Sequence, residues 1–482
     1  MSGGTDLNEA VKELRASLAG AVIAPADPGY DAARRSFNAL VDRRPAVIAR
    51  CLGASDVAAA FDFARAHELE VAVRGGGHNP AGHCVCDGGL VIDLSLLRSV
   101  TVDADARIAR ADGGSTWLDF DQETQAAGLV APGGIVGSTG VAGLTFGGGI
   151  GHLTSQYGLT CDNLVAAELV TPAGEVVRAG ADENPDLLWA LRGGGGNFGV
   201  ATSLQFRLHP LTRVVGGMLV YGGAGVPDAL RRFRDVVARS PRDLSCQAIV
   251  GVDASLAPTL VVAPCYTGSE QDPETLRALR SAPGLVDDTL RAHTFLDQQR
   301  LFDSAYGVNR HYWKGHFVSE LPDELLDELL QRIVSLGRPP GEILIESLHG
   351  APNDADAPAG AAGFRGAGFN ISAMATWQDA AHDEDHIGWA GDGGRDRALV
   401  VQRWQLRQLH DGRRAARAGS RRLRPRFVRA APSAKAALRP GERAAAQPEH
   451  PTRRRGRVAP IVFWLSTGLY RKGLRDKGAA HD

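Results

Sequence analysis

The decapeptide Glu70-Val71-Ala72-Val73-Arg74-Gly75-Gly76-Gly77-His78-Asn79 joins an apolar strand pattern to three consecutive glycines and a histidine. A strand that runs into glycines exposes backbone N–H groups with no Cβ atoms in the way, which lets a loop approach phosphate oxygens. An ordinary glycine turn carrying a surface histidine competes with that reading on this stretch alone. Upstream, residues 55–67 place Val57, Ala60, Phe61, Phe63 and Ala64 at helical spacing behind Ser55 as a candidate N-cap, so an amphipathic helix leads into the strand. Downstream, Gly89 to Leu94 is a second apolar run. Alternation at Val100, Val102, Ile108 and Ala109 then predicts a β-rich α+β module rather than regular βαβ repeats. No Gly-x-Gly-x-x-Gly opens a helix with an acid about twenty residues on, so the usual dinucleotide fingerprint is missing.

A second glycine-rich region spans residues 132–151, from Pro132-Gly133-Gly134 to Gly147-Gly148-Gly149-Ile150-Gly151. Each glycine costs roughly 1 kcal/mol relative to Ala inside a regular element, so neither a normal helix nor a strand is predicted here. Close approach of backbone to a large planar or phosphorylated ligand accounts for the cost. A flexible linker does not, because Val136, Val141, Leu144, Phe146 and Ile150 are interleaved where a linker carries polar residues. A third cluster, residues 187–200, reads as a short helix that ends in Gly193 to Gly196 and re-enters a strand. Three such regions in one half of the chain point to one shared ligand.

At 482 residues, 44% of them hydrophobic, the chain is long enough for two or three packed domains, and 59 glycines mark it as loop-rich. Lys+Arg 53 against Asp+Glu 55 leaves a net charge of -2, which predicts attraction to neither nucleic acid nor membrane. Six cysteines are too few for a disulfide scaffold at this length and point to a reducing compartment. No apolar signal core occupies residues 1–20 and no later run reaches a membrane span, so a soluble cytoplasmic protein without a metal site is expected.

Three features together resemble the berberine-bridge-enzyme-like flavin oxidoreductases and their vanillyl-alcohol-oxidase (PCMH) type of FAD-binding domain. They are Arg74 to Asn79, the Gly133 to Gly151 segment followed by Tyr157-Gly158-Leu159-Thr160-Cys161-Asp162-Asn163, and Asp186-Leu187-Leu188-Trp189 through Phe198-Gly199-Val200. The resemblance implies an α+β fold with a two-part FAD-binding domain at 30–212, after an N-terminal segment 1–29. An antiparallel-sheet substrate domain with helices follows at 213–390. It also implies FAD joined covalently to His78. Arg74, Gly75, Gly76, Gly77, Asn79, Gly82, His83, Gly134, Ser138, Thr139, Gly140, Gly143, Gly148, Gly149, Gly151, Gly199 and Val200 would cradle the cofactor. Many members carry a second bond from a cysteine four residues before the glycine matching Gly140. Val136 stands there, so attachment through His78 alone is expected, and Cys161 reads as a small buried filler. Thr139 matches the position that gates oxygen access and is compatible with oxidase behaviour.

The implied activity is hydride transfer from an alcohol or amine to FAD, with O2 as reoxidant and a small molecule as substrate. A covalent flavodehydrogenase using another acceptor is the alternative. Tyr157 is a candidate base, with packing against the flavin loops as its other reading. Strand patterns at residues 214–221, 248–252 and 260–264, with helices at 227–238 and 323–334, resemble the family's substrate domain. Tyr312 and Lys314 are candidate substrate contacts, against a core aromatic with a solvated lysine. Residues 391–482 break the pattern as an Arg-, Ala- and Pro-rich basic tail. Residues 402–411, shifted by one nucleotide, can spell Ser-Gly-Gly-Ser-Tyr-Val-Asn-Phe-Met-Thr, a C-terminal motif of the family. A frameshift near Gly391 is therefore expected. The family's C-terminal tyrosine at the flavin face is then missing from the chain as written, and an inactive product, or a nucleic-acid binder driven by the tail, becomes a further alternative.

Overall fold

The computed structural model describes residues 7–270, 273–335 and 341–391; the shifted tail motifs lie outside them. The opening stretch forms a β-α-β unit. Val47–Arg50 leads into the helix Ala54–Ala66, which returns through Val71–Arg74. Leu90–Asp93 pairs in parallel with both strands and lies between them, and Ala21–Ile23 closes the sheet antiparallel to Val47–Arg50. The helix starts ahead of the predicted Ser55 cap, with extended Gly53 at its N-cap and no side-chain cap bond. Asp56, in its first turn, ties the helix to its surroundings: its carboxylate accepts the N–H groups of Ala19, Gly20 and Leu52. Val57, Ala60, Phe61 and Ala64 bury against Val47, Ala49, Val71, Leu90 and Ile92. At about 1.5–3 kcal/mol per fully buried large apolar side chain, this packing holds the strand ends in place. Three strands thus finish at one edge, where Arg50, Arg74 and Asp93 sit together and the Gly75 to Gly77 loop departs.

The second sheet is wholly antiparallel, in the order Val100–Asp103, Ile108–Asp112, Val200–Arg207, Leu164–Val170, Val176–Gly180. The helix Trp117–Ala126 packs on it, opened by a capping box in which the Thr116 hydroxyl and Asp119 carboxylate each take a backbone N–H. Asp121 on this helix is fully buried and neither carboxylate oxygen has a hydrogen-bond partner. Burial, with the Asp303 charge nearby, pushes its carboxyl well above the ordinary range. The folded state therefore holds that proton more tightly than the unfolded one, and stability falls as pH rises above the ordinary carboxylate value. Asp121→Asn is expected to remove this loss, raising the melting temperature at pH 8 more than at pH 4; equal shifts at both pH values would contradict the assignment.

The glycine-rich segment contains one helix, Val141–Phe146, where no regular element was predicted. Val141, Ala142 and Phe146 are buried, and their packing outweighs the single Gly143 inside the helix. The predicted strand 214–221 is two strands, Arg213–Gly216 and Leu219–Gly222, broken at Gly217 with φ 130°.

The third sheet has nine strands among the described residues, all antiparallel. Its main path runs Leu285–Asp288, Leu219–Gly222, Pro258–Tyr266, Leu244–Val252, Gly341–Ser347, Phe369–Trp377, Arg310–Val318. Side chains alternate between its faces. One face, with Ala248, Val250, Val262, Ile343, Ile345 and Ile371, packs under the helices Val226–Arg239, Glu274–Arg280 and Asp323–Ser335. The other, with Ile249, Ala263, Leu344, Met374 and Trp313, packs against Phe37, Val136, Phe302 and Tyr306, and so faces the glycine loops. No described helix is long and apolar enough to cross a membrane.

Candidate cofactor and substrate site

The first and second glycine loops meet backbone to backbone. A Cβ on Gly76 would lie 2.4 Å from the Gly140 nitrogen, and one on Gly140 would lie 2.5 Å from the Gly76 nitrogen. Gly75 backs onto the Gly113 carbonyl, while Gly143 has nothing within 4 Å of its would-be Cβ. The loops therefore need glycine twice over, once for mutual contact and once to leave a bare, open backbone surface. Beneath them Arg74 is buried, donates to the Arg35 carbonyl at 2.9 Å, and keeps Nε and Nη2 without hydrogen-bond partners. Its nearest acid, Asp93, stands 3.8 Å away. The charge of this buried guanidinium is thus balanced by Asp93, and the pair anchors the strand end from which the loop departs.

His78 leaves this loop toward the third sheet. Its Nε2 is 2.8 Å from the Ser138 hydroxyl on the second loop. Its ring stacks on Phe37 at 4.2 Å, and Phe37 stacks in turn on His311 at 4.3 Å. Burial, then the nearby His311, pushes the His78 imidazole down to about 4, so it is neutral and nucleophilic near pH 7. His311 is itself fixed, with Nδ1 3.1 Å from the Thr376 hydroxyl and Nε2 3.1 Å from the Gly307 carbonyl. Asn38 ties the assembly together: its amide donates to the Pro80 and His311 carbonyls, and its oxygen accepts the His311 N–H.

Asn79 Oδ1 accepts the N–H of His83 at 3.2 Å, and Gly82 turns with φ 73° against Val41. Gly134 accepts from Gln299 at 2.8 Å, and the Thr139 carbonyl accepts from Trp117 at 2.9 Å. Gly149 and Gly151 are packed tightly on Thr160 and on the Gly133–Gly134 backbone. Gly148 is occupied from the protein side, since its Cβ direction ends 2.7 Å from Phe364. The third cluster behaves differently from the first two. Gly193 and Gly194 make room for Ala361 and Ala362 of a loop that Arg365 clasps to Asp162. Gly199, at φ 154°, abuts the Val170 carbonyl, and Val200 is buried in the core. These glycines serve packing of the chain on itself, and a shared ligand is not needed to explain them.

Tyr312 and Lys314 do not face His78. Register pairs Tyr312 with Ala375 and Lys314 with Ala373, so both point to the helix-covered face, where Tyr312 joins Trp377 and Ala390 and the Lys314 ammonium lies 5.7 Å from the Tyr312 ring centre. His311 and Trp313, of opposite parity, face the loops. The Tyr157 ring is committed to His209, stacked at 4.2 Å, and burial raises its pKa, which disfavours the phenolate a base requires. Cys161 is buried, with its thiol pushed up to about 12.

Two carboxylic acids missed in the sequence occupy the loop-facing side of Gly341–Ser347. Glu342 accepts from the Tyr306 hydroxyl at 3.0 Å, and Glu346 accepts from Asn370 at 2.7 Å. Burial raises both pKa values, and no cation pairs with either among the described residues. Their signal was the alternation of Glu342, Leu344 and Glu346 against Ile343 and Ile345, which sets two acids on one face of a strand. Among the described residues no cluster of three His, Cys, Asp or Glu side chains could hold a metal ion.

Two glycine loops in backbone contact, beside a sheet that turns its second face toward them, leave an open backbone surface that a large cofactor can use. Residues 45–180 match the family model described as FAD binding domain. An FAD-linked oxidoreductase of Dictyostelium discoideum is 32% identical over 316 residues, 64% of this chain and 68% of that protein. The (R)-6-hydroxynicotine oxidase of Paenarthrobacter nicotinovorans is 38% identical over 270 residues, 55% of this chain, and the chain spans 59% of that protein's length. The solved 6-hydroxy-D-nicotine oxidase from Arthrobacter nicotinovorans superposes with a TM-score of 0.68 at 28% identity, covering 82% of this chain and 87% of that one. Physcomitrella patens BBE-like 1 shares the fold, with a TM-score of 0.71 at 18% identity over 84% of this chain and 89% of that one. The chain belongs to the FAD-linked oxidoreductases and shares its fold with berberine-bridge-enzyme-like structures. The open backbone surface at Gly143 beside the two loops fits FAD, whose isoalloxazine would supply a planar hydride acceptor.

Proposed function

We propose that the protein is an FAD-linked oxidase of an amine, with His78 as its single covalent anchor and O2 as reoxidant. The observation that carries the amine is the unpaired acid pair Glu342 and Glu346 on the buried sheet face that looks toward the loops. A buried carboxyl with no cation is costly, and a bound ammonium beside it restores the ionised form. The nicotine-derived amine named for the similar Paenarthrobacter oxidase agrees with this class. Trp313 and Met374 on the same face supply apolar surface for the carbon skeleton. Glu342 takes up the substrate's proton, Tyr306 holds the carboxyl in place, and Val136 leaves no sulfur for a second anchor.

The test begins with a visible spectrum of the expressed chain and peroxide release on panels of secondary amines, aromatic alcohols and sugars. Amine turnover with peroxide supports the reading; dye reduction without oxygen consumption moves it to a dehydrogenase, and alcohol-only turnover overturns the amine.

Because the Glu342 carboxyl is raised, its charge develops above the ordinary carboxylate range. The KM for an amine is therefore expected to fall as pH rises through that raised pKa, for as long as the amine keeps its proton. Glu342→Gln should abolish that limb and raise the amine KM roughly tenfold or more, the scale of a lost charged hydrogen bond. An unchanged amine KM in the variant would count against the assignment.

A further inference from the structure

Phe37 belongs to none of the glycine loops, yet it is the residue that joins His78 to the third sheet. Its N–H donates to the Gly77 carbonyl at 3.2 Å, fixing its backbone to the loop that carries His78. The next residue, Asn38, is bonded to His311 through both backbone groups of the latter. Between these ties the Phe37 ring lies nearly parallel to both imidazoles, 19° from His78 and 7° from His311, and Trp313 meets it edge-on at 5.8 Å. An aromatic ring gripped on two faces and one edge cannot drift, so the plane of His78 is set by Phe37. Rotation within that plane is set by Ser138, whose hydroxyl holds Nε2.

We propose that Phe37 is a positioning residue for flavin attachment: the His311–Phe37 stack and the Ser138 bond together present Nδ1 of His78, rather than Nε2, to the flavin. This rests on the covalent reading above. In the tautomer that donates its Nε2–H to the Ser138 hydroxyl, the lone pair resides on Nδ1. The bond that forms joins Nδ1 to the 8α carbon of the flavin. One C–H bond there and the imidazole N–H break, and the two protons and two electrons go to dioxygen as hydrogen peroxide. Ser138 lies where the Nε2 proton must depart.

The experiment uses the full chain, made without flavin and incubated with FAD and oxygen. Flavin retained after acid denaturation is followed in time, and the histidyl isomer is read from the fluorescence-versus-pH curve of the flavin peptide. Wild type is expected to give the Nδ1 isomer. Phe37→Ala should slow attachment roughly tenfold or more, as misplacement of a reacting group does, while total FAD bound before denaturation is kept. Phe37→Tyr, which retains the ring, should restore the rate. Ser138→Ala should yield a mixture of isomers and serves as the readout if Phe37→Ala does not fold. Attachment in Phe37→Ala at the wild-type rate, or an Nε2 isomer in wild type, overturns the positioning role and leaves the covalent reading intact. No retained flavin in wild type overturns both.

Discussion

His78→Ala is expected to release all of its flavin on denaturation, where the wild-type protein keeps it, and to slow reduction of the bound flavin by substrate roughly tenfold. The first effect follows from position. His78 is a nucleophilic side chain that the structure places beside both glycine loops, stacked on Phe37 and held by Ser138, and burial keeps it neutral. The second follows from electronics. An imidazolyl substituent withdraws electron density from the isoalloxazine and strengthens it as a hydride acceptor, and a tenfold rate change needs only about 1.4 kcal/mol of barrier. Denaturing gels viewed under ultraviolet light read the first effect and anaerobic stopped-flow reads the second. Flavin that stays with the denatured variant would rule His78 out as the anchor.

Gly76→Ala is expected to be a severely damaging single-methyl change at the contact between the two loops. The new Cβ has the Gly140 nitrogen at 2.4 Å and its Cα at 2.6 Å, both backbone atoms that cannot rotate away. One loop must move by a large part of an ångström. Overpacking of this kind costs about 1–3 kcal/mol, and displacement of a reacting group by 1 Å costs on the order of 10²-fold in rate. Thermal unfolding and FAD titration should both report it, with the larger effect on FAD. Gly143→Ala is the control. Its Cβ meets no protein atom, and an alanine there strengthens the helix by about 0.5–1 kcal/mol, so any lost FAD affinity reads the cofactor itself. Equal behaviour of the two variants would mean that the contact between the loops does not organise the cradle.

Much of this site is local in sequence, and that part was legible. Runs of glycine with interleaved apolar residues are too costly to be accidental, and the strand into Arg74 to His78 needs only its own periodicity to be recognised. What pairing between distant strands decides was not. Residues 310–318 carry aromatic and cationic side chains on both faces, so the sequence offers no means of choosing Tyr312 and Lys314 over His311 and Trp313. The choice is made by register with Phe369–Trp377. The acids Glu342 and Glu346 were readable as sharing a face, but which face met the loops depends on the register with two neighbouring strands, Leu244–Val252 and Phe369–Trp377. Phe37 had no pattern at all, since it is a lone aromatic in an irregular segment whose importance comes from what stacks on either side. The third glycine cluster was over-read: glycine allows close approach, and here what approaches is the chain itself, at Ala361 and Ala362.

Asn38 has a bearing on motion. By bonding Pro80 on one side and His311 on the other, a single amide fixes the gap between the histidine loop and the sheet that faces it. The spacing between them is therefore held as by a clasp, with the Phe37 stack closed beside it.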